Sequence, residues 1–467
     1  MRILAIIFLI TWCSEAQNKQ LLYGFSEIPQ ALALNPGGKI KNSGFIGLPL
    51  ISHIHVNAGS TGMTLYDLFA DNGVDFNVKL RKAIYSSKAR DFASINQQFE
   101  ILSGGFAFGN MFEKNEYLSF GLYQEFDAIG YFPKDYAVLA LEGNQNNINR
   151  VFDASHLNVS AEVISVFHVG YNKKLNDQFT YGVRGKVYSN ILNVNSTKNK
   201  GSFVTVPGNN NVYNHIFNLD LEVRSSGFAD LRDLSSDEVI KKIKKRTLMG
   251  GDLGLGLDVG FTYQIDKQWY VDGSLLDIGF INHSKNIENY AVKGNYQFEG
   301  IDPFFSELAP GETANDYWNA IEDEFTEVFE ADTTYNKFTT WRPLKLNSSL
   351  NYAFGEKKEK DCNCIKNKKE FQNTVGAQLY VINRPKQPQA ALTLYYYRKL
   401  FKGLSAKTTY TFNSYSLNNI GLGVSANLGN LNFYLMADNF LQYKNLYDAQ
   451  SVSLQLGFNY IFKKNED

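Results

Sequence analysis

Three groupings of side chains in the 467-residue chain have types and spacings that could do chemistry. Cys362-Asn-Cys364 sets two thiols two residues apart, which could share a soft metal ion or close a strained local disulfide. No second Cys-x-Cys and no His-rich stretch completes a four-ligand site. The pair therefore reads as free thiols or a local oxidised pair, without a metal. Its flanks carry Lys357, Lys358, Lys360, Lys366 and Lys368, a charged loop suited to docking a periplasmic partner. His53 and His55 stand at i and i+2, hence on one face of a strand, but no carboxylate or third His is near in sequence. They read as polar residues facing an interior.

Arg184 and Lys186 form the third grouping. They share a presumed inward face with Glu162, His168, Asp252 and Asp258 on neighbouring segments. Opposite charges on adjacent strands can pair, and charge inside a barrel can also set solute selectivity. Pairing, which locks an interior, is the preferred reading. His156, His168, His215 and His283 could serve catalysis only through neighbours in space. No GxSxG, HExxH or P-loop pattern occurs. The chain is accordingly read as non-enzymatic, with no cofactor.

Side chains set this way need elements that alternate, and composition says which solvent those elements meet. Phe, Tyr and Trp number 35, 28 and 4, or 14% aromatic, with 37 Gly. Net charge is −1 from 46 basic and 47 acidic residues, which removes the electrostatic footprint of a nucleic-acid binder. Mean hydropathy is −0.27, and beyond the N-terminus no apolar run approaches the ~20 residues of a membrane helix.

The period is two. Val452, Leu454, Leu456, Phe458, Tyr460 and Phe462 alternate with Ser451, Ser453, Gln455, Gly457 and Asn459. Leu253 to Tyr263 and Ile420 to Leu428 repeat the pattern against Gly, Asp, Ser and Asn. Strands of soluble domains average about five or six residues, whereas these runs reach the nine to eleven or so of a membrane strand. The apolar faces end in aromatics, as interfacial girdles do. The expected fold is all-β: a transmembrane outer-membrane β-barrel of about 14 antiparallel strands, with a secreted β-sandwich or propeller as the other reading. The strands fall near 43–58, 97–111, 116–128, 157–171, 178–190, 250–263, 269–281, 345–355, 372–382, 389–398, 404–414, 418–428, 431–441 and 451–462. An even count puts both ends of the barrel in the periplasm.

Short connections then fall on one side and the long segments 59–96, 129–156, 191–249 and 282–344 on the other, with one exception, the long charged connection from Gly355 to Phe371 on the turn side. Residues 234–246 read as a short basic helix capped by Ser235 or Ser236, and 314–329 as an acidic one. Residues 288–298 extend a strand above the membrane or add a fifteenth. Met1 to Ala16 has a charged start, an apolar stretch and a small-x-small end, the form of a secretory signal peptide. The expected organisation is a leader over 1–16, a plug-like periplasmic segment over 17–42 and a barrel over 43–467. Outer-membrane lipid and lipopolysaccharide are the expected surroundings, and the long loops suit a periplasmic or surface protein partner.

Asn35-Pro36-Gly37, ahead of the first strand, resembles the turn that opens barrels related to the FadL fatty-acid channel and to the PorV and PorP/SprF proteins of type IX secretion. That resemblance implies a structural turn at these three residues and an N-terminal segment tucked into the barrel. Unlike FadL itself, the segment reads as lacking an apolar plug. Trp269 to Ile281, Gly294-x-Tyr-x-Phe-x-Gly300 and the Cys-x-Cys loop resemble an uncharacterised Bacteroidota outer-membrane family. It implies a fourteen-stranded FadL-like, porin-like barrel over nearly the whole chain. Its function would be passive transport or binding of a small or hydrophobic solute, the alternative being a non-transporting accessory or interaction barrel.

Overall fold

Residues that alternate between lipid-like and polar faces can satisfy their backbone only by pairing edge to edge and closing on themselves. The computed structural model describes residues 19–109, 114–208, 213–232, 234–298, 313, 332–356, 371–413 and 415–463. In it, fourteen antiparallel strands close a barrel. β1 has two parts, Asn42–Gly47 and Ile54–Ser60. There follow β2 (Phe92–Phe108), β3 (Glu116–Tyr131), β4 (Asn158–Lys174), β5 (Phe179–Pro207), β6 (Asp252–Gln264) and β7 (Trp269–His283). β8 (Lys345–Glu356), β9 (Phe371–Ile382), β10 (Gln389–Phe401), β11 (Leu404–Phe412), β12 (Asn419–Leu428), β13 (Leu431–Asp438) and β14 (Ser451–Lys463) complete it. Each pairs with the next, and β14 returns to both parts of β1, with Ile46 opposite Tyr460 and Ile54 opposite Leu456. The expected strands are all present, with shifted ends.

The two faces sort as the alternation requires. On β14, Leu454, Phe458 and Tyr460 are exposed outward, while Ser453, Gln455 and Asn459 are buried inward. From Val452 to Phe462 the outward row spans ten steps of ~3.4 Å, which at a tilt of ~45° is a height of about 24 Å. That matches the ~25 Å apolar band of a membrane barrel. Aromatic side chains crowd one end of this band. Trp269 packs on Tyr352, Tyr352 on Phe354 and Tyr460 on Phe462, with ring centroids 4.9, 6.0 and 5.2 Å apart. At the other end Trp341 is 78% exposed and edges onto Phe280.

β1 is broken where a continuous strand was expected. Pro49 has no N–H to give the ladder, and Leu50 takes a φ of +67°. The ring is bridged there by other bonds, Leu48 N to Phe458 O at 3.1 Å and Phe458 N to Ile51 O at 3.0 Å.

Short turns lie at the aromatic-rich end, except for the long connection from Glu356 to Phe371, and the longest segments lie at the other. The long segments hold α1 (Leu65–Phe69), α2 (Phe76–Ser86), α3 (Lys134–Glu142) and α4 (Ser236–Lys245). Residues 191–249 hold more than the short helix expected within a long loop. β5 continues 29 residues in all, and its outer part pairs with Tyr213–Ser226, which pairs in turn with Ile287–Phe298. The segment near 288–298 therefore extends a sheet beyond the barrel and is not a fifteenth wall strand. Its stretch bears Lys, Asn and Glu at short intervals, which excludes it from an apolar band but not from a sheet in water. The leader over 1–16, the Cys362 and Cys364 loop and the acidic helix over 314–329 lie outside the described residues.

Candidate functional site

Residues 19–41 lie within the barrel and bond to strands around its circumference. Lys407 Nζ on β11 donates to Tyr23 O at 2.6 Å, and Gln30 Nε2 donates to Asn459 Oδ1 on β14 at 2.7 Å. Ser274 Oγ on β7 donates to Leu34 O at 2.6 Å, and Arg184 on β5 donates to Leu32 O and Ala33 O at 3.1 and 2.6 Å. Leu21, Leu22, Phe25 and Ile28 cluster against Tyr434 and Met436 of β13. The segment thus has an apolar face after all, spent on the barrel wall. At its turn-end side, burial would push Glu27 up, but Lys41 and the Tyr397 hydroxyl hold it below the usual carboxylate value.

Asn35, Pro36 and Gly37 form a turn seated on glycine. Gly37 N donates to Asn35 Oδ1 at 2.9 Å, the local bond that suits Asn to turns. Asn172 Nδ2 on β4 donates to Pro36 O at 2.7 Å, and Thr262 Oγ1 on β6 donates to Gly37 O at 2.9 Å. Beneath the turn, Gly182 on β5 faces Gly260 on β6 as a register pair. A Cβ on Gly182 would run into the Pro36 carbonyl, and one on Gly260 into Asn35 Oδ1. Sequence reading singled out the tripeptide but not its seat, because two inward glycines become one site only through the register.

Toward the loop end lies a layer of buried charge. Asp258 accepts from Arg184 Nε at 2.7 Å and lies 2.9 Å from Lys186 Nζ. Lys186 also reaches Asp277 at 2.6 Å, Asp277 reaches Lys345 at 2.8 Å, and Lys345 reaches Glu125 at 3.4 Å. Arg342, just before β8, pairs with Glu125 and Glu162. Four cations and four anions therefore balance, and the links from β8 to β3 and β4 cross the lumen.

Of the residues singled out from sequence, Glu162, Arg184, Lys186 and Asp258 join this layer. Asp252 does not: it accepts from Ser284 Oγ at 2.9 Å and Lys285 N at 3.3 Å at the loop end. His168 is buried beside the Tyr123 ring, 5.8 Å between centroids. Asp277 was not anticipated, since alternation from Asp272 points it outward. A bulge between Leu275 and Ile278, with Asp277 at a φ of +60°, turns it in. His53 and His55 stack with ring centroids 6.4 Å apart, and His53 Nδ1 lies 2.7 Å from the Tyr434 hydroxyl. Among the described residues, no three His, Cys, Asp or Glu side chains converge as a metal site would require.

Between the N-terminal segment and the wall at the turn end is a small cavity, partly open to solvent. Ile28, Leu32, Tyr117 and Tyr270 give it apolar surface, and Asn35 and Asp272 polar ends. Lys39 Nζ stands over the Tyr270 ring, 3.6 Å from its centroid, and 2.8 Å from Gln264 Oε1.

Among solved structures, the Ralstonia pickettii toluene transporter TbuX is similar at 9% identity and a TM-score of 0.40, covering 93% of this chain and 94% of that chain. A Pseudomonas aeruginosa FadL homologue is similar at 9% identity and a TM-score of 0.41, covering 94% of this chain and 96% of that chain. At such identities and TM-scores no property of those proteins transfers to this chain. A search of curated proteins returns no match. A family model does match, over residues 36–438, and the chain belongs to that family, DUF5723, a family of unknown function.

Proposed function

We propose that this chain is an outer-membrane barrel, closed at rest, that binds a small amphipathic solute under its N-terminal segment. The single observation that carries the reading is the partly open cavity between that segment and the wall, where Ile28, Leu32, Tyr117 and Tyr270 meet Asn35 and Asp272. Its lining mixes apolar walls with few polar groups, as small-molecule sites do. The outward apolar band of about 24 Å supports membrane insertion. A leader over 1–16, a plug-like segment over 17–42 and a barrel over 43–467 complete the proposal, together with the Bacteroidota origin that the resemblance implies. Glu162, Arg184, Lys186 and Asp258 serve here to shut the lumen, and Asn35, Pro36 and Gly37 to seat the plug.

The test is titration of the detergent-purified chain with N-phenyl-1-naphthylamine, an apolar fluorescent probe. Saturable binding that is lost in Leu32→Trp, which fills the cavity, is expected. Binding unchanged in that variant, or no saturable binding, refutes the reading. The sheet that β5 carries beyond the wall favours a second reading, a surface interaction barrel. A partner crosslinking to residues 193–226, with no probe binding, would favour that one.

A further inference from the structure

From its sequence α4 could lie on a membrane surface or stand as a solvated loop helix, the second being the preferred reading. The contacts of the turn after it favour the first. On β5 the inward row is Arg184, Lys186 and Tyr188, so the outward row runs Phe179, Tyr181, Val183, Gly185, Val187 and Ser189. The register agrees, since Val187 and Ser189 lie opposite Leu255 and Leu253, which are 59% and 50% exposed. Ser189 should be as open as they are, yet it is fully buried. Its Oγ donates to Arg246 O at 2.6 Å and accepts from Gly251 N at 3.1 Å. Its outward neighbour on β4, Ser165, is fully buried as well. The turn Arg246–Gly250 therefore lies on the outside of the wall.

Its height is also fixed. Phe179 to Ser189 is ten steps along the strand, again about 24 Å along the membrane normal. Ser189 thus stands at the outer margin of the apolar band. Arg246 clamps the turn there, donating to Ile191 O at 2.9 Å and Gly227 O at 2.7 Å. α4 has one face tied inward, where Lys242 Nζ donates to Asp230 at 2.9 Å. The other face leaves Ile240, Lys241, Lys244 and Lys245 exposed. In the turn, Leu248 is 70% exposed.

The geometry points to a lipid-docking element: α4 and its turn hold the phosphorylated headgroups of outer-leaflet lipid, with Leu248 entering the acyl boundary and Lys241, Lys244 and Lys245 meeting the phosphates. Basic amphipathic helices with apolar contacts lie at this depth, and each lysine near an anionic lipid surface adds attraction. The inference rests on the membrane reading above, but not on the solute.

The test uses the full chain and fluorescent bisphosphorylated lipid A, with dephosphorylated lipid A beside it and anisotropy as the readout. The expected loss is roughly five-fold for each lysine changed to Ala and about a hundred-fold for the triple variant K241A/K244A/K245A. The loss should vanish with the dephosphorylated lipid. A triple variant that binds as the original does, or an original that ignores phosphorylation, overturns the inference. Insertion into phosphatidylcholine vesicles separates the two levels. Failure of both chains to insert overturns the membrane reading, whereas insertion of both without lipid A discrimination overturns the docking alone.

Discussion

Gly182→Ala should release the N-terminal segment from the wall. The new Cβ would occupy the place of the Pro36 carbonyl, and both partners are backbone, so neither yields by a rotamer change. The turn must lift. It would lose Asn172 to Pro36 O at 2.7 Å, Asn172 to Gly38 O at 3.1 Å, Thr262 to Gly37 O at 2.9 Å and Asn35 to Phe261 O at 3.1 Å. At about 1 kcal/mol for each net bond, and with water replacing some at the open turn end, the cost is about 2–4 kcal/mol. Gly185→Ala is the matched control, because its Cβ would meet open space on the same strand. Trypsin reports the outcome through cleavage after Lys39 and Lys41, which requires the segment to leave its seat. The expected result is cleavage at least tenfold faster in Gly182→Ala than in Gly185→Ala. Equal rates would refute the idea that this glycine pair seats the plug.

Other consequences follow from the charge layer and the outer loop. Arg342→Ala leaves Glu125 and Glu162 without their shared cation and should cost about 3–5 kcal/mol, read by urea unfolding in bicelles. A change below 1 kcal/mol would show the pair to be solvated. Burial raises Asp230, but hydrogen bonds from Lys242 and Arg246 outweigh it and hold the carboxyl below its usual value. A lowered pKa means that its stabilisation is complete above about 3.8 and is lost as pH falls further. Hydrogen exchange in α4 should therefore quicken below pH ~3.8, and Asp230→Asn should abolish that pH dependence.

The strand ring was legible because period two is a local property. Each outward row from Leu253 to Tyr263 or from Val452 to Phe462 could be read without knowing its neighbours. What escaped depended on partners distant in sequence. Asp277 enters the lumen only through a bulge, and Gly182 and Gly260 meet only in register. Arg342 and Lys345 lie at and before the start of β8, where alternation gives no direction. β5 was cut short at residue 190 because beyond it polar residues fall on both faces, which is what a sheet in water permits. α4 was found from its charges and cap, but its place on the outer wall depends on one hydroxyl, that of Ser189.

The central claim is a membrane barrel whose lumen is shut by residues 19–41 and the ion-pair layer. Steady-state conductance of the purified full chain in planar bilayers tests it most directly. The account predicts no steady ion current from the unmodified chain, and current appearing when Gly182→Ala is combined with Arg342→Ala. A stable, ohmic conductance from the unmodified chain would contradict it.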